Sequence, residues 1–134
     1  MSKPFAWAQH KSIAIVGSRE YPYPGRVRRF VQRLAAICSP ETLIVSGDGG
    51  RVDKTAIYEA ELQGMHWMVF PADWNAKTLP NGKRTYDRGA GFRRNQYIVD
   101  QADALVYFWV SPTAGTADDI RKAKKKGIPV VRGK

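Results

Sequence analysis

Cysteine is almost missing from this chain. Cys38 stands alone among 134 residues, so no intrachain disulfide can form, and an intracellular, cytoplasmic location is the expectation. Histidine is scarce too. His10, His66 and Cys38 show no metal-ligand spacing, which predicts neither a metal site nor a bound cofactor. His66 falls inside an apolar run and reads as a core histidine. No serine sits in a nucleophile elbow or beside a histidine, which argues against a serine hydrolase. No apolar run approaches the length of a membrane span, and the N-terminus shows no secretory hydrophobic region. Negative charge is also in short supply. Twelve acidic residues face 22 lysines and arginines, a formal net charge of +10 that favours polyanions: nucleic acid, nucleotides or phosphates.

What is present alternates between strand and helix. Residues 1–11 hold Pro4, Phe5 and Trp7 without clear period and read as an N-terminal arm or an added edge strand. Residues 12–134 read as a single domain. Strands are predicted over 12–16, 42–45, 65–70, 104–110 and 128–131, and helices over 26–38, 51–63, 91–102 and 115–126. The strands are continuously apolar, including 65–70, rather than alternating. That pattern predicts an α/β fold: a three-layer, Rossmann-like sandwich around a mainly parallel sheet of five strands. The first helix carries the stripe Val27, Phe30, Val31 and Leu34, which Cys38 extends as a small buried hydrophobe rather than a nucleophile. Ala56 and Ala60 let the second helix lie close to the sheet. Gly64 and Gly127 are the expected helix C-caps. Residues 71–89 read as a long polar loop.

Ligands of such sheets sit outside the carboxyl ends of the strands. Four polar segments follow predicted strands there: Gly17-Ser18-Arg19, Ser46 to Asp53, Pro71 to Trp74, and Ser111 to Thr116. The second is the most informative. Gly47, Gly49 and Gly50 allow close ligand approach where a strand turns into a helix N-terminus, a natural anion site. Asp53 lies in the first turn of that helix, where it also complements the dipole. Ser18 and Arg19 are candidates to bond and clamp phosphate. Gly89 to Asn95 opens the third helix. Arg93 and Arg94 are about 100° apart there, so one of them should face the sheet edge. Cations at a helix start oppose the dipole, which raises the functional weight of this pair. Asn95 suits an amide, hydroxyl or base edge. Thr116 reads as the N-cap of the last helix, with Asp119 completing a capping-box variant; a second role is a carboxylate acting as acid or base. Trp74 is the best placed of the four tryptophans to stack on a base; Trp7, Trp67 and Trp109 read as core or interface.

As a set these motifs resemble the SLOG superfamily, the Rossmann-like group that joins DNA-processing protein A to the Lonely Guy enzymes, and within it the small single-domain YspA-like branch. The matching residues are Gly17-Ser18-Arg19, Ser46-Gly47-x-Gly49-Gly50-x-Val52-Asp53, Ala72-Asp73-Trp74, Ala90-Gly91-x-x-Arg94-Asn95 and Gly115-Thr116, spread from Ile13 to Val131. The resemblance implies a nucleotide or nucleotide-derived ligand at the sheet edge, held as by a sensor or binding module. It implies two alternatives: a phosphoribohydrolase cutting the N-glycosidic bond of a nucleoside monophosphate, with Arg94 and Asp119 as catalytic residues, and a single-stranded nucleic-acid binder. The enzyme branch carries a Pro-Gly-Gly-x-Gly-Thr-x-x-Glu turn. This chain reads Ser111-Pro112-Thr113-Ala114-Gly115-Thr116-Ala117-Asp118-Asp119, without the leading glycine pair and with aspartate for glutamate. Assembly into a homodimer or larger homo-oligomer is also implied.

Overall fold

A computed structural model describes residues 6 to 134. Five parallel strands form the central sheet: β1 (Ser12–Gly17), β2 (Leu43–Gly47), β3 (His66–Phe70), β6 (Ala104–Phe108) and β7 (Val130–Arg132). Their spatial order is β3-β2-β1-β6-β7. The chain steps outward from β1 through β2 to β3, then crosses back to build β6 and β7 on the other side of β1. Ile13 therefore pairs with Ile44 on one flank and with Ala104 on the other. The carboxyl ends of β1, β2 and β6 meet at this reversal, the place where an open α/β sheet leaves a crevice.

Helices α1 (Pro24–Ile37) and α2 (Arg51–Leu62) cover one face; α3 (Ala90–Gln101) and α4 (Ala114–Lys126) cover the other. Successive strand residues point to opposite faces, so β1 divides itself between two cores. Ile13 and Ile15 join Val27, Val31, Leu34 and Phe108 under α1 and α2. Ala14 and Val16 join Val45, Ile98, Val99 and Leu105 under α3 and α4. Ala56 and Ala60 are fully buried and bring α2 close to the sheet. Gly64 and Gly127 end their helices at φ 72° and 85°, the left-handed conformation expected of them. The α3 C-terminus has an additional anchor. Lys126 Nζ donates to the carbonyls of Val99, Asp100 and Ala102, at 2.9 to 3.0 Å. That geometry gives one of the last-helix lysines a structural function.

Several local expectations change. Residues 1–5 of the proposed arm lie outside the described residues; Trp7–Gln9 form a short 3-10 turn, with Trp7 packed edge-on against Phe30 at 5.1 Å. Strand β3 is the sheet's outer edge rather than a strand buried on both faces, and His66 is exposed on it rather than a core histidine. The long polar loop contains a two-stranded antiparallel ribbon, β4 (Lys77–Thr78) and β5 (Arg84–Thr85). Cys38 is the half-buried C-cap of α1, and burial pushes its thiol pKa up, away from nucleophilic use. Helix α4 begins before Thr116. Its N-cap is Thr113, which makes no side-chain capping bond, and the capping box of Thr116 and Asp119 does not form. Both residues lie inside the helix and are buried.

Candidate functional site

A cleft of about 390 Å3 lies over the carboxyl ends of β1, β2 and β6. That volume falls within the usual range for small-molecule sites. Each of the four polar segments contributes to its wall: Gly17 and Arg19, Gly49 and Asp53, Trp74, and Thr113 with Gly115 and Thr116. Arg94, Asn95 and Asp119 line it as well. The remaining residues singled out from the sequence sit around it. Ser18 lies in a neighbouring hollow, its hydroxyl 3.4 Å from that of Thr113. Ser46 is fully buried and donates to the Ile15 carbonyl at 2.6 Å. Gly47 packs against Arg94 and Asp53, two residues of the cleft lining. Gly50 backs onto Arg19, whose Cα would be 2.5 Å from an added Cβ. Asp73 points into the ribbon, 2.5 Å from Arg84.

Close packing of backbone and arginine shapes the floor. A Cβ on Gly17 would stand 2.4 Å from the Phe108 carbonyl and 2.7 Å from Val52, so only glycine lets α2 begin this close to the sheet. The Arg94 guanidinium lies over the next glycines: a Cβ on Gly47 would come within 2.6 Å of its Nη1 and 3.0 Å of Asp53 Oδ2. Arg94 donates from Nη1 to Asp48 Oδ1 and from Nε to Asn95 Oδ1, both at 3.1 Å. Only 11% of its side chain is exposed. Arg93, its neighbour, turns outward to pair with Asp87. One arginine of the pair thus faces the sheet edge and the other faces solvent.

Asn95 ties two helices together. Its Nδ2 donates to the Gly115 carbonyl at 3.2 Å and to Asp118 Oδ2 at 3.1 Å. Asp118 is 1% exposed and also pairs with Lys122 and Arg121. At the start of α4, the first intrahelical bond runs from the Ala117 amide to the Thr113 carbonyl. The amides of residues 114–116 precede it and are the orphan donors of a helix N-terminus. A Cβ on Gly115 would meet nothing within 4 Å, so that turn faces open space.

Two carboxyls are buried in this cleft. Asp53 accepts from the Gly49 amide at 3.0 Å; burial raises its pKa, while that bond and Arg94 pull it back. Asp119 is 5% exposed, and its Oδ1 has no hydrogen-bond partner among the described residues. Burial first, then the charge of Asp53, pushes its pKa well up, against the pull of Arg94. A buried polar atom without a partner costs about 1–3 kcal/mol, so its retention needs an explanation. Arg19 and Arg88 line the same cleft and have no carboxylate partner among the described residues. The cleft lining thus holds three arginines, Arg19, Arg88 and Arg94, against two carboxyls, Asp53 and Asp119. Among the described residues, no group of three or more histidine, cysteine, aspartate or glutamate side chains is placed to hold a metal ion.

The mouth is aromatic. Trp74 and Tyr86 stack at 5.8 Å with planes 9° apart, and the indole rests on Gly91, where a Cβ would be 2.9 Å from the ring. Phe92 completes the rim and is 45% exposed. Tyr86, Arg88, Phe92 and Thr113 were not singled out from the sequence. The available signals were aromatic residues flanking the basic run of the long loop, and a hydroxyl just ahead of the α4 glycine.

The fold and the cleft together define the class: a Rossmann-like α/β domain with a polar crevice at the sheet reversal. Solved structures give that class its nearer context. DNA processing protein A from Helicobacter pylori, studied for its single-stranded DNA binding mode, superposes with a TM-score of 0.70 at 17% identity, over 94% of this chain and 66% of that one. DNA processing protein A from Streptococcus pneumoniae gives 0.73 at 16% identity, over 94% and 51%. The structural-genomics target TM1055 gives 0.68 at 20%, over 90% and 72%. This chain therefore spans only about half to two thirds of the two DNA processing proteins. No protein-family model and no curated protein sequence matches it. These likenesses establish the fold alone, a Rossmann-like α/β fold similar to that of DNA processing protein A. Among the described residues, no helix is long and apolar enough to cross a membrane.

Proposed function

We propose that the cleft binds a nucleotide or nucleotide-derived phosphate ligand. The observation that carries this reading is the first turn of α4. Its open Gly115 and the amides of residues 114–116, which make no hydrogen bond among the described residues, share one crevice with Arg19, Arg88 and Arg94. Backbone donors, a positive helix end and guanidinium groups all favour one anion there. The phosphate sits at the α4 turn and the base lies against the Trp74–Tyr86 wall. Isothermal titration against nucleotides, ADP-ribose derivatives and inorganic phosphate tests this. Heat with a nucleotide-like ligand is expected, and Trp74→Ala should weaken it by about 1–3 kcal/mol, the usual value of one base–aromatic stack. Silence across the whole panel would refute the reading.

A second reading rests on a separate observation, the buried carboxyl of Asp119, whose Oδ1 has no partner among the described residues and whose pKa burial pushes well up. In a phosphoribohydrolase, the bond from the anomeric carbon to the base breaks as Asp119 gives its proton to the departing base, water adds to that carbon, and the proton the water loses returns to the Asp119 carboxylate. Arg94 stabilises negative charge developing on the leaving group. Asp118 does not share this role, because Asn95, Lys122 and Arg121 engage its carboxylate. Chromatographic detection of free base from nucleoside monophosphates decides it, and an Asp119→Asn protein with undiminished turnover would remove the residue from the mechanism. The likeness to DNA processing protein A and the +10 charge support a third reading, single-stranded nucleic-acid binding. Affinity that falls steeply with salt would favour that reading over a small ligand.

A further inference from the structure

The two edges of the sheet are built differently. Edge β7 has three residues, follows Pro129, and carries Arg132. Short strands, proline and basic side chains are the usual protection against edge-to-edge pairing. Edge β3 has none of these within it. His66–Phe70 is five residues long, and its outer backbone groups pair with no strand among the described residues. Trp67 is 45% exposed and Met68 38%. They extend the faces of Ile44 and Val45, so they lie on opposite sides of the sheet. Helix α2, packed beside β3, exposes Tyr58 and Leu62, which lie four residues apart on one helix face. On the other side, Tyr97 of α3 stacks on Phe70 at 6.1 Å and is itself exposed.

The charge pattern singles out the same place. The chain has 22 lysines and arginines, yet none falls between Lys54 and Lys77. The segment that builds this edge is free of cations in an otherwise basic molecule. Two copies of a +10 chain repel one another over most of their surfaces. Here they meet apolar side chains and open backbone instead.

We infer that β3 is the self-association edge of this protein. It pairs antiparallel with β3 of a second copy about a two-fold axis, producing one continuous ten-stranded sheet. An isologous contact requires a self-complementary patch, and a short apolar strand is one. Stable interfaces bury about 800 Å2 per partner. Tyr58, Trp67 and Tyr97 offer roughly 100 Å2 each, about half of a fully buried ring. Leu62, Met68 and the strand backbone add to that area. The cleft opens at the strand ends and not at this lateral edge, so the interface is independent of ligand binding.

Light scattering after size exclusion tests this on the full chain over a concentration series. The expected mass is twice the 15.0 kDa of one chain. Trp67→Lys and Met68→Lys, each made separately at an exposed site, should return the mass to a single chain. Ile37→Lys, at an exposed apolar residue of α1 away from the edge, should not. Hydrogen exchange of the parent protein should show the amides of 66–70 more protected in concentrated than in dilute solution, a readout that needs no variant. A parent that stays monomeric at every soluble concentration, including one that docks a different protein here, overturns the inference. So does a dimer that survives both lysine variants, or edge amides that exchange equally at both concentrations.

Discussion

Replacing Asp119 by asparagine should make the protein more stable, and increasingly so as pH rises. The carboxyl is 5% exposed and one of its oxygens has no partner among the described residues. Burial, with the charge of Asp53 nearby, holds the proton on in the folded state, whereas an unfolded aspartate releases it near pH 3.9. Below that pH both states are protonated and ionisation of the group takes nothing from stability. Above it the unfolded chain ionises first, so wild-type stability falls by up to ~1.4 kcal/mol per pH unit until the folded-state pKa is passed, and is flat beyond. Asparagine lacks this loss. The gap between variant and wild type should therefore be small near pH 4 and widen as pH rises toward the folded-state pKa. At this chain length, each kcal/mol should raise the melting midpoint by roughly 3–5 °C. Urea denaturation at a series of pH values measures the gap directly. Curves that run parallel at all pH values, or a variant less stable than wild type at neutrality, would show that Asp119 ionises in place without penalty. Greater stability combined with loss of base release would mark a group kept for chemistry rather than for folding.

Two further substitutions probe the surroundings. Gly47→Ala places a methyl 2.6 Å from Arg94 Nη1 and 3.0 Å from Asp53 Oδ2, so the guanidinium must withdraw from its seat. Ligand affinity should fall by about 1.5–3 kcal/mol, the value of a hydrogen bond to a charged group. Overpacking should cost about 1 kcal/mol of stability, the low end because a side-chain tip can move; titration and a melt read the two separately. Asp118→Ala strips Asn95, Lys122 and Arg121 of a shared partner. A loss of about 2–3 kcal/mol by urea denaturation is expected, below the 3–5 of a fully buried pair because Arg121 is 73% and Lys122 19% exposed.

The order of strands and helices was legible because an unbroken apolar run and a 3.6-residue stripe are strong local signals. The stripe of Val27, Phe30, Val31 and Leu34 and the close-packing alanines of α2 lie where that pattern puts them. Edge position was not legible. His66–Phe70 is as apolar as a central strand, and only the crossover after β3 shows that no neighbour follows. The cap of α4 was misplaced because Gly115 is a poor helix former and so makes Thr116 look like the cap, and helix starts are weakly marked when no side-chain cap bond forms. In the site, glycine-rich turns after strands announced themselves. Tyr86 and Arg88 did not, because they come from a loop whose path is set by the ribbon β4–β5 and by Trp74 resting on Gly91.

Asn95 holds the Arg94 guanidinium through its carbonyl oxygen and the Gly115 backbone through its amide nitrogen. The charged arm and the opening of α4 are thereby tied into one unit. If the cleft takes the proposed ligand, capture speed should be governed by diffusion and charge attraction, with little ordering entropy to oppose it.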